Sequence, residues 1–360
     1  MPEVFKIENR DSRKGLLACL FFLSALMQGC HAPLECPVKT RLSEPPAPQL
    51  YFANVLFVTD RTPANLNKAS FSSQRNLVAD HLIYGSKCED PAGRRSGCSE
   101  SSTLFAKEEF FQQISDGRKD VLLFVPGFNY SFDESLQIAL RIAERTKFDA
   151  TVVSYSWPSR HQLLAYRSDY DSSEWSVEHL TGFLKQVALA VPEGKFLHIV
   201  AHSIGGRILL QALLRLQLPH EKLGELVMIA PDVDTQIFVE QAPKCGAFRR
   251  KTLYVSPRDK ALQFSQFLFH SNKRRAGEEY IVLDGMETID ASLLHAGITG
   301  HAYFEESQLM LEDLGAVLRN RPVSERRLDA CSVKSLDKKN STNGSSMPLT
   351  IYRLPENRAK

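Results

Sequence analysis

His198-Ile199-Val200-Ala201-His202-Ser203-Ile204-Gly205-Gly206 reads as the end of a buried strand, a tight turn with a serine at its apex, and a helix that opens on two glycines. The pentapeptide differs from the Gly-x-Ser-x-Gly nucleophile elbow only in Ala201, which stands where the first glycine is usual. Small residues two before and two after the serine are needed because strand and helix cross closely at such a turn, and alanine is the mildest departure. The placement strengthens the short match. The apolar run Phe196-Leu197-His198-Ile199-Val200 precedes the serine, and Ile204, Ile208, Leu209, Ala212, Leu213 and Leu216 follow at helical spacing.

Outward from this turn the same alternation repeats. Upstream, Val121-Leu122-Leu123-Phe124-Val125 is an uninterrupted apolar run, as expected of a central parallel strand buried on both faces. Pro126-Gly127-Phe128-Asn129-Tyr130 turns the chain, and Ser131 with Glu134 predicts a capping box for a helix bearing Leu136, Ala139, Leu140 and Ala143. A strand over residues 151–157 stops at Pro158. The polar segment 159–173, with Leu163, Leu164, Tyr166 and Tyr170, is read either as a small cap over a pocket or as an ordinary loop, and a helix is expected over about 175–189.

Downstream, Leu226-Val227-Met228-Ile229-Ala230 ends at Pro231-Asp232-Val233-Asp234, and Thr252-Leu253-Tyr254-Val255-Ser256 ends at Pro257-Arg258-Asp259. Tyr280-Ile281-Val282-Leu283 is expected to be the last strand, with a closing helix over about 303–318. Nearer the N-terminus, residues 54–60 predict a first strand and 106–114 a helix, while 65–103 read as loop-rich with at most a short strand at 81–84. Strands alternating with helices through parallel-type connections predict an α/β fold: a doubly wound, mostly parallel sheet with helices on both faces.

The chain has 360 residues, enough to bury a substantial core, with 43% hydrophobic and 24% charged residues. A formal charge of +2 leaves no footprint for nucleic acid, and the runs Arg249-Arg250-Lys251 and Lys273-Arg274-Arg275 lack interleaved aromatics, so they read as solvated surface. At the N-terminus, Lys6, Arg10, Arg13 and Lys14 precede a thirteen-residue apolar run, residues 15–27. That length is short for a bilayer span and suits a signal-peptide core. The run ends at Leu26-Met27-Gln28-Gly29-Cys30, which resembles a bacterial lipobox, in which cleavage before the cysteine is followed by its lipidation. The expected organisation is a lipoprotein-like signal over 1–29, a Pro-rich tether over 30–50, a catalytic-type domain over 51–320, and a flexible polar tail over 321–360. The expected location is the bacterial cell envelope, with a membrane anchor on Cys30.

Beyond Cys19 and Cys30 the cysteines are Cys36, Cys88, Cys98, Cys245 and Cys331. Cys88 and Cys98 flank a polar loop and are the expected disulfide pair in an oxidising compartment, worth about 2 to 3 kcal/mol on the chain-entropy model. The pairing of the other three stays open. No Cys-x-x-Cys or Cys/His spacing suggests a metal, and no cofactor is expected.

In open parallel sheets reactive groups gather beyond the carboxyl ends of the strands. A free serine hydroxyl is a poor nucleophile; it needs a histidine base, and the histidine needs a carboxylate to fix its tautomer. Among histidines after Ser203, His220 lies at the wrong end of the sheet and His270 closes an apolar helix. His301, after the last strand and before the terminal helix, is the expected base, with His295 second. For the acid, Asp259 is first choice, with Asp232 and Asp234 as alternatives; helix capping for Asp259 and a structured turn for the other two are the competing structural roles. Backbone amides of Ile204 and Phe128 are the expected oxyanion donors, each worth about 3 to 4 kcal/mol of transition-state stabilisation in enzymes of this kind. His202, beside the serine, reads mainly as a structural histidine.

Pro126-Gly127-Phe128-Asn129-Tyr130-Ser131-Phe132, Ser156-Trp157-Pro158-Ser159, Ala201-His202-Ser203-Ile204-Gly205, Ala230-Pro231-Asp232-Val233-Asp234, Tyr254-Val255-Ser256-Pro257-Arg258-Asp259-Lys260-Ala261-Leu262 and Gly300-His301-Ala302-Tyr303-Phe304 together resemble a bacterial α/β-hydrolase family of unknown function in the esterase/lipase superfamily. The resemblance spans roughly residues 50–320. It implies an α/β-hydrolase fold and esterase-type serine chemistry on a small-molecule or lipid-like ester, and it supplies no substrate. The family's usual His-Gly before the oxyanion turn is Pro126-Gly127 here, so the turn is shaped differently while the amide donor remains. A different class of reading, a non-catalytic lipid-tethered binding or envelope-structural protein on the same scaffold, is compatible with the fold, because fold alone does not fix function.

Overall fold

The structure, a computed structural model, describes residues 34–36, 54–78, 82–88, 102–162, 165–268, 274–294, 300–301, 303–333 and 349–355. In chain order its strands are β1 (Leu34–Glu35), β2 (Asn54–Thr59), β3 (Arg61–Asn65), β4 (Ser70–Arg75), β5 (Ile83–Cys88), β6 (Ser102–Phe105) and β7 (Asp120–Val125). They continue with β8 (Ala150–Ser156), β9 (Leu197–His202), β10 (Leu223–Ile229), β11 (Arg250–Val255), β12 (Met286–Asp290), β13 (Asp329–Val333) and β14 (Leu349–Arg353). The α-helices are α1 (Lys107–Asp116), α2 (Phe132–Thr146), α3 (Tyr166–Ala190), α4 (Ile204–Leu214), α5 (Thr235–Gln241), α6 (Lys260–Leu268), α7 (Tyr303–Glu306) and α8 (Gln308–Leu318).

One sheet runs in the order β1-β13-β14-β12-β11-β10-β9-β7-β8-β2-β5-β6. Every pairing from β2 across to β14 is parallel, and antiparallel strands close both edges. The apolar runs without polar alternation fill its centre because both faces are covered. Successive side chains of β7 alternate between the two cores. Val121, Leu123 and Val125 pack with α1, α3 and α4 residues such as Phe110, Phe183 and Ile208. Leu122 and Phe124 pack with α2 and α8 residues such as Leu136, Leu140, Leu314 and Val317. The expected doubly wound α/β fold is therefore present, and the Ser131–Glu134 capping box forms as predicted at the start of α2.

Four expectations need correction. Residues 280–283 are not a strand; Ile281 is buried, its carbonyl accepts the Thr288 hydroxyl, and Gly285 at φ 74° turns the chain so that Met286–Asp290 pairs with β11 instead. The helix expected from about 175 begins earlier, at Tyr166, because Tyr166, Asp169, Ser172 and Ser173 are buried among partners that its polar sequence did not reveal. The loop-rich stretch 65–103 contains the β3–β4 hairpin, which starts before it at Arg61, as well as β5 and β6.

The fourth concerns both ends of the chain. The stretch 321–360 is not all polar tail: β13 and β14 form a hairpin with Cys331 opposite Ile351, β14 pairs in parallel with β12, and β1, within the expected tether, pairs with β13. Cys36 and Cys331 are joined by a disulfide across 295 residues. Cys88 is also disulfide-bonded, while Cys98 lies outside the described residues; Cys245 is free and buried. The signal-like stretch 1–29 and Cys30 are likewise outside the described residues, and among those described no helix is long and apolar enough to cross a membrane.

Candidate active site

The elbow forms where β9 meets α4. Ser203 sits at φ 53° and ψ −123°, a strained conformation for a non-glycine residue. Its surroundings over-determine it: Ser203 N donates to Ile229 O at 3.0 Å, and Ser203 O accepts from Gly206 N at 3.0 Å and Asp232 N at 3.1 Å. Gly205 is required by close approach, since a Cβ there would lie 2.3 Å from Pro126 O. Ala201, by contrast, is fully buried without such a conflict. A Cβ on Gly127 would lie 2.8 Å from His202 Nδ1 and 2.9 Å from Ser203 Cβ, so the turn after β7 is seated directly on the elbow. That seating brings the turn carrying Phe128 to the same place as the N-terminus of α4, which carries the Ile204 amide at the positive end of the helix dipole.

Asp259 follows β11 and is fully buried. One carboxylate oxygen, Oδ1, accepts the amides of Ala261 at 3.0 Å and Leu262 at 3.1 Å at the start of α6; the other, Oδ2, lies 2.6 Å from His301 Nδ1. Capping and histidine binding thus coexist, and the cap fixes the carboxylate that faces the imidazole. His301 precedes α7 and is preceded by Gly300 at φ 67°. Burial pulls the His301 pKa down, but the charge and hydrogen bond of Asp259 outweigh it, with smaller help from Asp232 and Glu305, and the net direction is upward from 6.5.

His202 packs between the pieces, its ring 4.5 Å from that of His301 and 4.4 Å from Phe304. Burial first, and the His301 charge second, hold it well below its ordinary pKa, so it stays neutral at neutral pH. Tyr130, whose ring is 6.3 Å from His202, donates its hydroxyl to Glu305, and Arg141 stands 3.7 Å from the same carboxylate.

The alternative acids have other partners. Asp232 accepts Ser265 Oγ at 2.9 Å and the Tyr166 hydroxyl, and it faces Arg275 Nε at 3.2 Å. Asp234 caps α5, accepting the amides of Gln236 at 2.9 Å and Ile237 at 3.2 Å. His220 is exposed beside Glu221, while His270 and His295 lie outside the described residues. Tyr130, Glu305 and Ser265 were not found from the sequence. Their partners are between 33 and 175 residues away, and no local pattern marks them. Among the described residues no cluster of three or more His, Cys, Asp or Glu could hold a metal ion. What the arrangement can do is acid–base chemistry: a carboxylate-oriented imidazole, His301, packs against His202, the residue before the serine on the strained turn.

The family described as "Alpha/beta hydrolase of unknown function (DUF900)" matches residues 103–321, more than half of the chain. No curated protein matches the sequence. Among solved structures, esterase B from Lactobacillus rhamnosis (HN001) is similar at 10% identity and a TM-score of 0.35, covering 70% of this chain and 83% of that one. A Pyrobaculum calidifontis esterase is similar at 11% identity and 0.32, covering 88% and 95%. Trichoderma reesei cutinase in complex with a phosphonate inhibitor follows at 11% and 0.28, covering 58% and 87%. Likenesses this distant carry no argument about chemistry.

Proposed function

The chain belongs to this α/β-hydrolase family of unknown function, and we propose that it is a serine hydrolase cleaving a carboxylic ester through an acyl-enzyme on Ser203. Ser203 Oγ attacks the carbonyl carbon, His301 takes the hydroxyl proton on Nε2, and Asp259 holds Nδ1–H and stabilises the imidazolium. The amides of Phe128 and Ile204 receive the developing oxyanion. His301 then returns the proton to the departing alcohol, and water releases the acid by the same steps in reverse. The observation that carries this reading is the His301–Asp259 hydrogen bond of 2.6 Å on a fully buried carboxylate, with His301 packed against His202, which directly precedes the strained Ser203 turn.

Turnover of p-nitrophenyl esters of graded acyl length tests the reading. Wild-type protein should release nitrophenol on at least part of the series, and Ser203→Ala should lose activity by about 10⁴-fold or more. A folded wild-type protein inert across the whole series, with no acyl-enzyme visible by mass, sinks the proposal in favour of a binding role. We also place the domain at the bacterial envelope through a lipid on Cys30, supported by the apolar run 15–27 and its Leu-Met-Gln-Gly-Cys end. Palmitate incorporation that persists in Cys30→Ser contradicts that placement.

A further inference from the structure

The turn that carries the Phe128 amide is gripped at its other backbone groups by one short segment after β8. Trp157 Nε1 donates to Pro126 O at 2.8 Å. Asn129 N donates to Ser159 Oγ at 2.8 Å, and His161 Nδ1 lies 2.8 Å from Asn129 O. Behind the segment stands Arg61, the first residue of β3: Nη2 donates to Tyr130 O at 2.9 Å, Nη1 to Ser159 O at 3.0 Å, and Nε to Ser156 Oγ at 3.0 Å. Ser159 Oγ donates onward to Asp169 Oδ2 at 2.8 Å, which also accepts the Arg160 amide at 2.8 Å. Ser159, Arg61 and Asp169 are all at most 1% exposed. Burial pulls Arg61 down to about 10, still cationic at neutral pH, with Asp60 and Asp169 opposing the fall.

Asn129 sits at φ 70°, a left-handed conformation that asparagine adopts more readily than other non-glycine residues and that here is held by Ser159 and His161. Its amide, one residue after that of Phe128, is the one Ser159 holds, so the Ser159 hydroxyl governs the peptide plane next to Phe128 N–H. Oxyanion donors work because they are pre-aimed at where charge develops, and a misplacement of about 1 Å costs on the order of 10²-fold.

We infer that Ser159, braced by Asp169 and Arg61, is a positioning residue that aims the Phe128 amide at the oxyanion. The inference rests on Phe128 being an oxyanion donor in the serine-hydrolase reading above. The side-chain hydrogen bonds of Ser159 go to Asn129 N and Asp169 Oδ2, not to His301 or Asp259.

The full chain carrying Ser159→Ala provides the test, through three readouts. With p-nitrophenyl butyrate, kcat should fall on the order of 10²-fold while KM changes by less than about 3-fold. Affinity for a trifluoromethyl ketone, which forms a tetrahedral adduct, should fall in parallel with kcat/KM, and the pH midpoint of the acid limb should not move. Amide exchange at Asn129 should accelerate. If Ser159→Ala does not fold, Asp169→Asn, which keeps the serine hydroxyl, should show the same pattern at about 10-fold. Unchanged kcat and unchanged ketone affinity in a folded variant overturn the inference. So does a loss of kcat with ketone affinity intact, which places the damage on the proton-transfer arm. A wild-type protein that neither hydrolyses the ester nor binds the ketone, yet shows faster Asn129 exchange in Ser159→Ala, overturns the oxyanion role through the parent reading and leaves the clamp standing.

Discussion

Asp232 and Asp259 invite comparison because they leave the carboxyl ends of adjacent parallel strands, β10 and β11, and both are buried. They do different things. Asp259 divides its two oxygens between the first turn of α6 and His301. Asp232 gives its hydrogen bonds and ion pair to Tyr166 at the start of α3, Ser265 in α6 and Arg275, and reaches His301 only through its charge. Its partner Tyr166 packs against Phe128, with the two rings 5.0 Å apart. Place after a strand therefore nominates a carboxylate for catalysis, and the partner that arrives from elsewhere in the chain decides. His301 comes from the last strand–helix crossing and meets only one of the two.

The sharpest way to break this comparison is Asp259→Asn. An amide oxygen still caps α6, so the fold should hold, while the imidazole loses its tautomer control and kcat should fall about 10⁴-fold; near-wild-type kcat in this variant reassigns the acid. Asp232→Asn should give the converse. Activity should stay within about 3-fold, but a buried charge that pairs with Arg275 and accepts from Tyr166 and Ser265 is removed, and urea unfolding should report about 3 kcal/mol of lost stability. A smaller effect falls on pH. His301 is raised above 6.5 by Asp259, against burial, with Glu305 adding to the rise. The base works only when neutral, so the acid limb of kcat/KM should titrate above 6.5, and Glu305→Gln should move it toward lower pH. The linked stability has the opposite sense: the contribution of protonated His301 is complete below 6.5 and is lost as pH rises through its folded value. An acid limb unmoved in Glu305→Gln contradicts the assignment of that charge.

Much of this site was legible in the sequence because its parts are local. The elbow needs only a strand, a serine and a helix with a glycine, and the Ser131–Glu134 box needs only four residues. Asp259 and His301 could be nominated from chain order, since the fold places both beyond strand ends. The contacts that tune the site were not legible. Arg61 reaches Ser159 across 98 residues and Tyr130 reaches Glu305 across 175, and such pairs leave no periodicity to read. The same holds for the sheet edge: β13 and β14 carry few buried apolar residues, so composition suggested a tail, while a disulfide from Cys36 and pairing to β12 draw both strands into the sheet. Residues 280–283 misled in the other direction, since an apolar run can bury one side chain, Ile281, and leave Val282 exposed without pairing as a strand.

The proposed mechanism stands or falls on Ser203 acting as a nucleophile activated by His301. Labelling the folded protein with a fluorophosphonate, followed by mass mapping of the adduct, tests it most directly. One adduct is expected, on Ser203, lost in Ser203→Ala, strongly slowed in Asp259→Asn and His301→Ala, and formed at close to the wild-type rate in Asp232→Asn. No adduct on well-folded protein, or an adduct on another residue that survives Ser203→Ala, contradicts it.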